Sequence, residues 1–334
     1  MQRIIVAFTG AIALAASSVA PSHAQAPAAS KFADNAIRHV GVIVRDVDQA
    51  ARDYADLFGL PVPRTREVPD VPFPADFTGD RAAHPKVALI QLANISIELL
   101  EPIGGASPWR NHLEQFGEGL HHIAFGVPDV GKAVAHLERF GGTHVLGTAG
   151  YPAAYVDMKA LLGFTFELNQ NPSAPAGAAP GTVSIQPATA EPTHFGMGAI
   201  LHAGVFVPDV ERAAKVFGEL MGIPVPKAIA YAGMVFPKGF SGDPNAHPKI
   251  LSFGLRPISV EYAEPQGGKS PWRDHLEAFG PSMHHLAVAV QDLEKNIAYL
   301  ESKGGTLVLG PGPGYAFVNL KPKPLGFTFE LNGQ

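Results

Sequence analysis

Four stretches of the chain alternate apolar and small or polar positions and carry a histidine at the same place. They are Ile37-Arg38-His39-Val40-Gly41-Val42-Ile43-Val44, Gly119-Leu120-His121-His122-Ile123-Ala124-Phe125-Gly126-Val127, Leu201-His202-Ala203-Gly204-Val205-Phe206-Val207 and His284-His285-Leu286-Ala287-Val288-Ala289-Val290. A period of two predicts strands, with successive side chains on opposite faces. In the second stretch Ile123, Phe125 and Val127 form a face fit to lie under a helix. His122, Ala124 and Gly126 form the opposite face, which is small and open. By the same alternation His121 and His284 point away from it. Two further strand patterns carry a glutamate on the non-helix side: Ile95-Ser96-Ile97-Glu98-Leu99-Leu100 and Phe164-Thr165-Phe166-Glu167-Leu168-Asn169. Both recur later, as Val260-Glu261-Tyr262 and Phe327-Thr328-Phe329-Glu330-Leu331.

The intervening sequence supplies helices and turns. Asp46 is placed to cap a helix that runs to Phe58 and stops at Gly59. Lys86 to Leu92 and Ile95 to Leu100 read as a hairpin across Ala93-Asn94, after a long polar, proline-rich excursion from Pro61 to Asp80. Ser107-Pro108 opens a short helix, and a further helix spans Val130 to Phe140 before Gly141-Gly142. Strands are expected near His144 to Gly147, Tyr155 to Met158 and Phe164 to Leu168. The order strand-helix-strand-strand-strand therefore occurs twice in the first half. The whole programme then repeats. An offset of 163 residues relates His39 to His202, Glu98 to Glu261, His122 to His285 and Glu167 to Glu330. Ser107-Pro108-Trp109-Arg110 returns as Ser270-Pro271-Trp272-Arg273 at the same offset, and one residue slips near Tyr155 and Phe317. This is a tandem duplication in which each copy holds an older, weaker one. The boundaries are a first domain over 35–171, an Ala/Pro/Gly-rich linker over 172–196 and a second domain over 197–334.

Composition narrows the function classes. The 334 residues carry a net charge of −5, without a basic stripe, which argues against nucleic acid as a partner. There is no cysteine, so disulfides, thiolate nucleophiles and cysteine metal ligands are excluded. Arg3 precedes an apolar run from Ile4 to Ala16, and Ser22-His23-Ala24-Gln25 follows. This fits a signal peptide over 1–24, the alternative being a short membrane anchor, then a flexible tail over 25–34; cleavage implies a periplasmic or secreted protein with no membrane attachment afterwards.

The chemistry lies on the small, open face of the strands. A carboxylate in mid-strand on a partly enclosed face loses hydration, and two together repel. A divalent cation answers both problems. Two imidazoles and two carboxylates around a 2+ ion are neutral and leave positions for water or substrate. The expected ligand sets are His39, Glu98, His122 and Glu167 in the first copy, and His202, Glu261, His285 and Glu330 in the second. The alternative is that one copy binds metal and the other is structural.

These motifs, in this order, resemble the vicinal oxygen chelate superfamily, which includes glyoxalase I, methylmalonyl-CoA epimerase, extradiol dioxygenases and bleomycin-resistance proteins. The likeness rests on Arg38-His39-Val40, Ile97-Glu98-Leu99-Leu100, Gly119-Leu120-His121-His122-Ile123 and Phe166-Glu167-Leu168. It covers nearly all of both halves and is nearest to the epimerase and glyoxalase I. The resemblance implies an α+β fold of four βαβββ modules, paired into two domains, each a curved open sheet around a metal cleft with helices outside. It implies a divalent ion, Zn, Ni, Co, Mn or Fe(II), in each cleft and a small-molecule substrate with two neighbouring oxygens. It also implies that Glu167 and Glu330 serve as catalytic bases, with Glu98 and Glu261 second.

Two carboxylates per set resemble the lyase, isomerase and epimerase branch, which moves protons beside a metal-bound carbonyl. A ring-cleaving dioxygenase using Fe(II) and O2, or a non-catalytic binding or resistance protein, are the alternatives. No group for holding glutathione or coenzyme A is evident. The loops with His84 and His247, and the helices with Trp109, Arg110, Trp272 and Arg273, are candidates to line the clefts. The alternative for them is packed tryptophans and surface-paired arginines. His112 and His275 read as structural. The oligomeric state stays open.

Overall fold

The computed structural model describes residues 36–171, 199–321 and 325–333. The expected signal peptide, tail and linker lie outside the described residues.

Each half follows the expected order. The first runs β1 (Ile37–Ile43), α1 (Val47–Phe58), β2 (Arg66–Glu67), β3 (His84–Gln91) and β4 (Ser96–Ile103). Helix α2 (Pro108–Phe116) leads to β5 (Gly119–Val127), α3 (Val130–Arg139), β6 (Thr143–Leu146), β7 (Ala153–Asp157), α4 (Lys159–Leu162) and β8 (Thr165–Gln170). The second runs β9 (Ile200–Phe206), α5 (Val210–Met221), β10 (Ile229–Ala230), β11 (His247–Phe253), β12 (Ser259–Gln266) and α6 (Pro271–Phe279). It continues with β13 (Ser282–Val290), α7 (Leu293–Ser302), β14 (Thr306–Gly312), β15 (Tyr315–Asn319) and β16 (Thr328–Gly333). The one-turn helix α4 and the two-residue strand β2, inside the proline-rich excursion, are additions to the sequence reading.

The local signals act as expected. The Asp46 side chain accepts from Gln49 N at the start of α1, and Gly59 ends it at φ 67°, a left-handed conformation that favours glycine. Ser107 caps α2 with Pro108 in its first turn.

Each half forms one eight-stranded sheet, ordered β2-β3-β4-β1-β5-β8-β7-β6 and β10-β11-β12-β9-β13-β16-β15-β14. The two modules of a half meet where β1 pairs antiparallel with β5, and β9 with β13. Each of these central strands pairs in parallel with the glutamate strand of its own module. The fold is therefore α+β, with the modules paired within the chain.

The helix-side faces of both sheets share one hydrophobic core. Phe58 of α1 meets Phe329 of β16 edge to face, and Phe217 of α5 lies against Phe164 and Phe166. The buried Tyr54 hydroxyl donates to Leu325 O at 2.8 Å, and Asn94, at the β3–β4 turn, both donates to and accepts from the Ile200 backbone.

Beside this seam is a cavity of about 390 Å³, lined by His112, His121 and Lys159 from the first half and His275, His284 and Lys321 from the second. His112 lies 3.2 Å from Lys159 Nζ, and His275 shares a hydrogen bond of 2.9 Å with Ser282 Oγ. Burial, with the Lys321 ammonium nearby, lowers His275 to about 3. A histidine depressed in this way stabilises the fold fully above its unfolded pKa of about 6.5 and loses that contribution as pH falls towards the folded value. The melting temperature is expected to fall between pH 6.5 and 4, and to fall less steeply for His275→Gln, as read by calorimetry. Equal slopes for the two proteins would show that His275 takes up its proton as readily in the fold as in the unfolded chain.

Candidate functional site

The register of the four central strands explains why the site forms. Across β4, β1 and β5, Glu98, Gly41 and His122 lie in one transverse row. Across β1, β5 and β8, His39, Ala124 and Glu167 lie in the next. The second half repeats both rows, as Glu261, Gly204, His285 and as His202, Ala287, Glu330. The residue between the polar ends is glycine or alanine each time, so the longer side chains can fold over it and converge. At Gly41 the space is already taken. An added Cβ would lie 1.8 Å from His122 Cε1, and at Gly204 it would lie 1.9 Å from His285 Cε1. These glycines let the imidazole rest on the neighbouring strand.

All four expected ligands of each copy are brought together, each offering one atom within 4.8 Å of the other three. In the first cleft His39 Nε2 and His122 Nε2 are 3.2 Å apart, and Glu167 Oε2 lies 2.8 Å and 3.0 Å from them. Glu98 Oε2 is 3.5 Å and 3.4 Å from the same nitrogens. In the second cleft the imidazole nitrogens are again 3.2 Å apart and Glu330 Oε2 is 3.0 Å from both, but Glu261 Oε1 stands off at 3.7 Å and 4.0 Å. Donors bonded at about 2.0–2.2 Å to one ion are separated by roughly 2.9–3.5 Å. The nitrogen–nitrogen and nitrogen–oxygen separations of the first set, 2.8–3.5 Å, are close to this spacing, and in the second only Glu261 stands off from the imidazoles. A third group, Asp209, Glu211 and Glu264, is otherwise engaged. Asp209 and Glu264 accept from the first backbone N–H groups of α5, and Glu211 pairs with Lys249.

Charge favours a cation at both points. Burial alone would lower His39, but Glu167 and Glu98 outweigh it and raise the imidazole to about 10. His202 is raised to about 9 against the same burial, by Glu261 and Glu330. Burial opposes ionisation of Glu167 and Glu330 as well, yet the adjacent imidazoles hold both well below the usual carboxylate range. Glu261, farther from its histidines, is raised by burial, whereas Glu98 is lowered by His39 despite it. A cation can displace the proton that each cluster otherwise attracts.

The surroundings orient the ligands. Asn169 Nδ2 donates to Glu167 Oε1 at 3.1 Å, and Asn332 does the same for Glu330 at 3.2 Å. Each glutamate thus has one oxygen held and the other turned to the cluster. The alternation rule places His121 away from His122, but the two rings meet, with Nδ1 atoms 3.1 Å apart. His284 and His285 do the same. The pairing with β1 skips residue 121, and that with β9 skips 284. A bulge of this kind re-aims a side chain. It lets the first histidine fix the ring of the second, leaving Nε2 for the cluster.

The first cleft has a volume of about 470 Å³ and the second about 240 Å³. Trp109 and Trp272 line them while nearly fully buried, so packing and lining coincide. The expectation for their neighbours is corrected. Arg110 and Arg273 donate to backbone carbonyls, Pro102 and Gly104 in one copy and Pro265, Gly267 and Gly268 in the other. His84 and His247 bond the turn carbonyls of Ala82 and Asn245, outside the clefts. The sequence reading assigned no role to Arg38, Arg66, Tyr151 and Tyr155, which line the first cleft. The register slip at Tyr155 and Phe317 was the available signal, because there the two copies differ at the site. Tyr155 packs 5.1 Å from the His122 ring and is held protonated by burial and by Glu167 and Glu98.

Gly41→Ala is expected to push His122 out of position and abolish metal uptake by the first cleft while the second keeps its own. Elemental analysis beside a circular dichroism spectrum checks this. Unchanged metal content would refute the packing argument.

Comparison with known proteins agrees with this geometry. The sequence profile of the Glyoxalase/Bleomycin resistance protein/Dioxygenase superfamily matches residues 38–161 and again 201–317. The ethylmalonyl-CoA/methylmalonyl-CoA epimerase of Cereibacter sphaeroides is 30% identical over 141 residues, covering 40% of this chain and 96% of that protein. The mitochondrial methylmalonyl-CoA epimerase of Homo sapiens is 28% identical over 140 residues, 40% of this chain and 73% of its own. A mutant of 4-hydroxymandelate synthase from Streptomyces coelicolor shares the fold, with a TM-score of 0.56 at 17% identity over 90% of this chain and 93% of that one. With the profile matching in both halves, the chain belongs to the glyoxalase/bleomycin resistance protein/dioxygenase superfamily, in a tandem form.

Proposed function

We propose that the protein is a metal-dependent lyase, isomerase or epimerase that moves a proton on a small substrate bearing two neighbouring oxygens. The observation that carries this is the pair of complete His2Glu2 clusters, each with one glutamate held on a single oxygen by an asparagine. His39, Glu98, His122 and Glu167 would hold one divalent ion, and His202, Glu261, His285 and Glu330 another. When bound, such an ion acts as a Lewis acid that makes a carbon acid beside a carbonyl easier to deprotonate.

The chain's own residues do the rest. Glu167, and Glu330 in the second cleft, could take a proton from carbon and return it through Oε2 if that oxygen were freed from the ion, with Oε1 still bonded by the asparagine. Asn169 and Asn332 keep the other oxygen from turning in. The Tyr155 hydroxyl, kept protonated, can donate to a substrate oxygen in the first cleft. The apolar walls, including Trp109 and Leu100 in the first cleft and Phe317 in the second, exclude water and strengthen these interactions. Two carboxylates per cluster in both halves favour proton transfer over ring cleavage with O2. The similarity to epimerases over one half's length supports the same reading.

We also infer that the protein works outside the cytoplasm, because Arg3 and the apolar run after it have the form of a cleaved leader. A mature N-terminus at Gln25 in protein recovered from a bacterial periplasm is the expected result, and an intact Met1 in the cytoplasm would overturn it.

The central test is metal analysis with exchange. Two ions per chain are expected, falling to one in Glu167→Gln and one in Glu330→Gln. Solvent deuterium should appear at the carbon next to the carbonyl of an accepted substrate, with exchange reduced at least about 100-fold in the double variant. A chain that binds no divalent metal, or that consumes O2 with substrate, would overturn the proposal.

A further inference from the structure

The two clefts share their ligand sets but not their charge. Arg38 and Arg66 line the first. At the offset of 163 residues the second copy has Leu201 and Ile229 there. The change is matched by a third position on a different strand. A Cβ at Gly126 would lie 2.3 Å from both Arg38 Nη2 and Asn171 Oδ1, so glycine makes room for the guanidinium together with the amide it donates to. The equivalent residue is Ala289, where no arginine has to be accommodated. Arg38 is also aimed, since its Nη2 donates to Asn171 Oδ1 at 2.6 Å, just beyond the strand that carries Glu167. Among the described residues that line the second cleft, the four ligands are the only titratable groups besides tyrosines.

We propose that the first cleft takes an anionic substrate, whose carboxylate or phosphate meets Arg38 and Arg66, and that the second takes an uncharged one. The proposal rests on the metal reading above for the placement of the substrate's neighbouring oxygens, and it names the substrate class of each site. In the first cleft two arginines balance two glutamates, so a 2+ ion leaves a surplus of two positive charges. In the second the ion cancels the glutamates and leaves none. An anion entering the first cleft is neutralised as it loses water. In the second it would be desolvated with nothing to compensate it. Arginine suits this task because its planar fork can pair with both oxygens of a carboxylate or phosphate. Size follows the same division, with about 470 Å³ for the charged cleft and about 240 Å³ for the neutral one.

The test uses metal-loaded full-length protein and paired probes with the same neighbouring oxygens. These are 5-hydroxy-4-oxopentanoate against 1-hydroxypentan-2-one, and dihydroxyacetone phosphate against dihydroxyacetone, followed by isothermal titration. Each charged probe that binds should saturate one site per chain, and its affinity should weaken with salt. Arg38→Leu should lower that affinity about 10- to 100-fold, the range for losing a charge-assisted hydrogen bond. Which charged probe binds more tightly identifies carboxylate or phosphate as the preferred group. The paired variant Leu201→Arg with Ala289→Gly should raise the stoichiometry for that probe to two, a gain that a misfolded protein cannot mimic. Two equivalent sites for the charged probe in the wild type would overturn the proposal, as would an affinity unmoved by Arg38→Leu. Metal analysis of the same samples separates the two readings. A chain without metal sinks the catalytic proposal, while salt-sensitive phosphate binding lost in Arg38→Leu would still support the charge assignment.

Discussion

Two carboxylates and two imidazoles meeting within a few ångströms is a repulsive and poorly hydrated arrangement, and the rest of the structure is built to impose it. Four adjacent strands each contribute one group. Their register sets the groups in two neighbouring rows, and Gly41, Ala124, Gly204 and Ala287 keep the middle of each row low. Neighbouring strands lie about 4.8 Å apart, so ends two strands apart come within bonding range of one point only if nothing stands between them. The histidine bulges and the asparagines beside Glu167 and Glu330 then remove the remaining rotational freedom. A cation is the simplest species that relieves such a cluster, and the raised pKa of His39 shows the same demand being met by a proton.

Both halves satisfy this constraint, but not equally. In the first, Glu98 and Glu167 both lie close to the imidazoles, and a protonated tyrosine stands over His122. In the second, Glu261 is farther away and Phe317 replaces the tyrosine. The ligands are the part the duplication has kept, and the walls are the part that has diverged. Sites of this kind separate the power to polarise an oxygen, which belongs to the cluster, from the choice of molecule, which belongs to the lining.

Much of this was legible in the chain itself. Period-two patterning placed His39, Glu98, His122 and Glu167 on one face, and the constant offset placed their partners. Asp46, Gly59 and Ser107 marked helix ends through local hydrogen bonds and backbone preference, which depend on near neighbours alone. What escaped depends on contacts between distant residues. Alternation cannot foresee a bulge, so it leaves out the contact of His121 with the His122 ring, although His121 does line the seam cavity and not the cleft. Arg110 looked available because it is charged, but its fork is used by the turn at Pro102 to Gly104. Arg38 sits next to a ligand histidine, and in a regular strand it would face away from the cleft. The irregular pairing between Ile37 and His39 lies beside it.

The shared core has a consequence for how such a protein can change. Tyr54 and Phe58 of one copy lie against the sheet of the other, and Phe217 returns the contact. Neither copy can be shed, swapped or separately expressed without stripping a greasy surface from its sibling. Selection can therefore experiment freely at the open mouths of the molecule while its middle stays locked. A gene that doubled in this way has acquired a permanent spare workshop rather than a removable appendix.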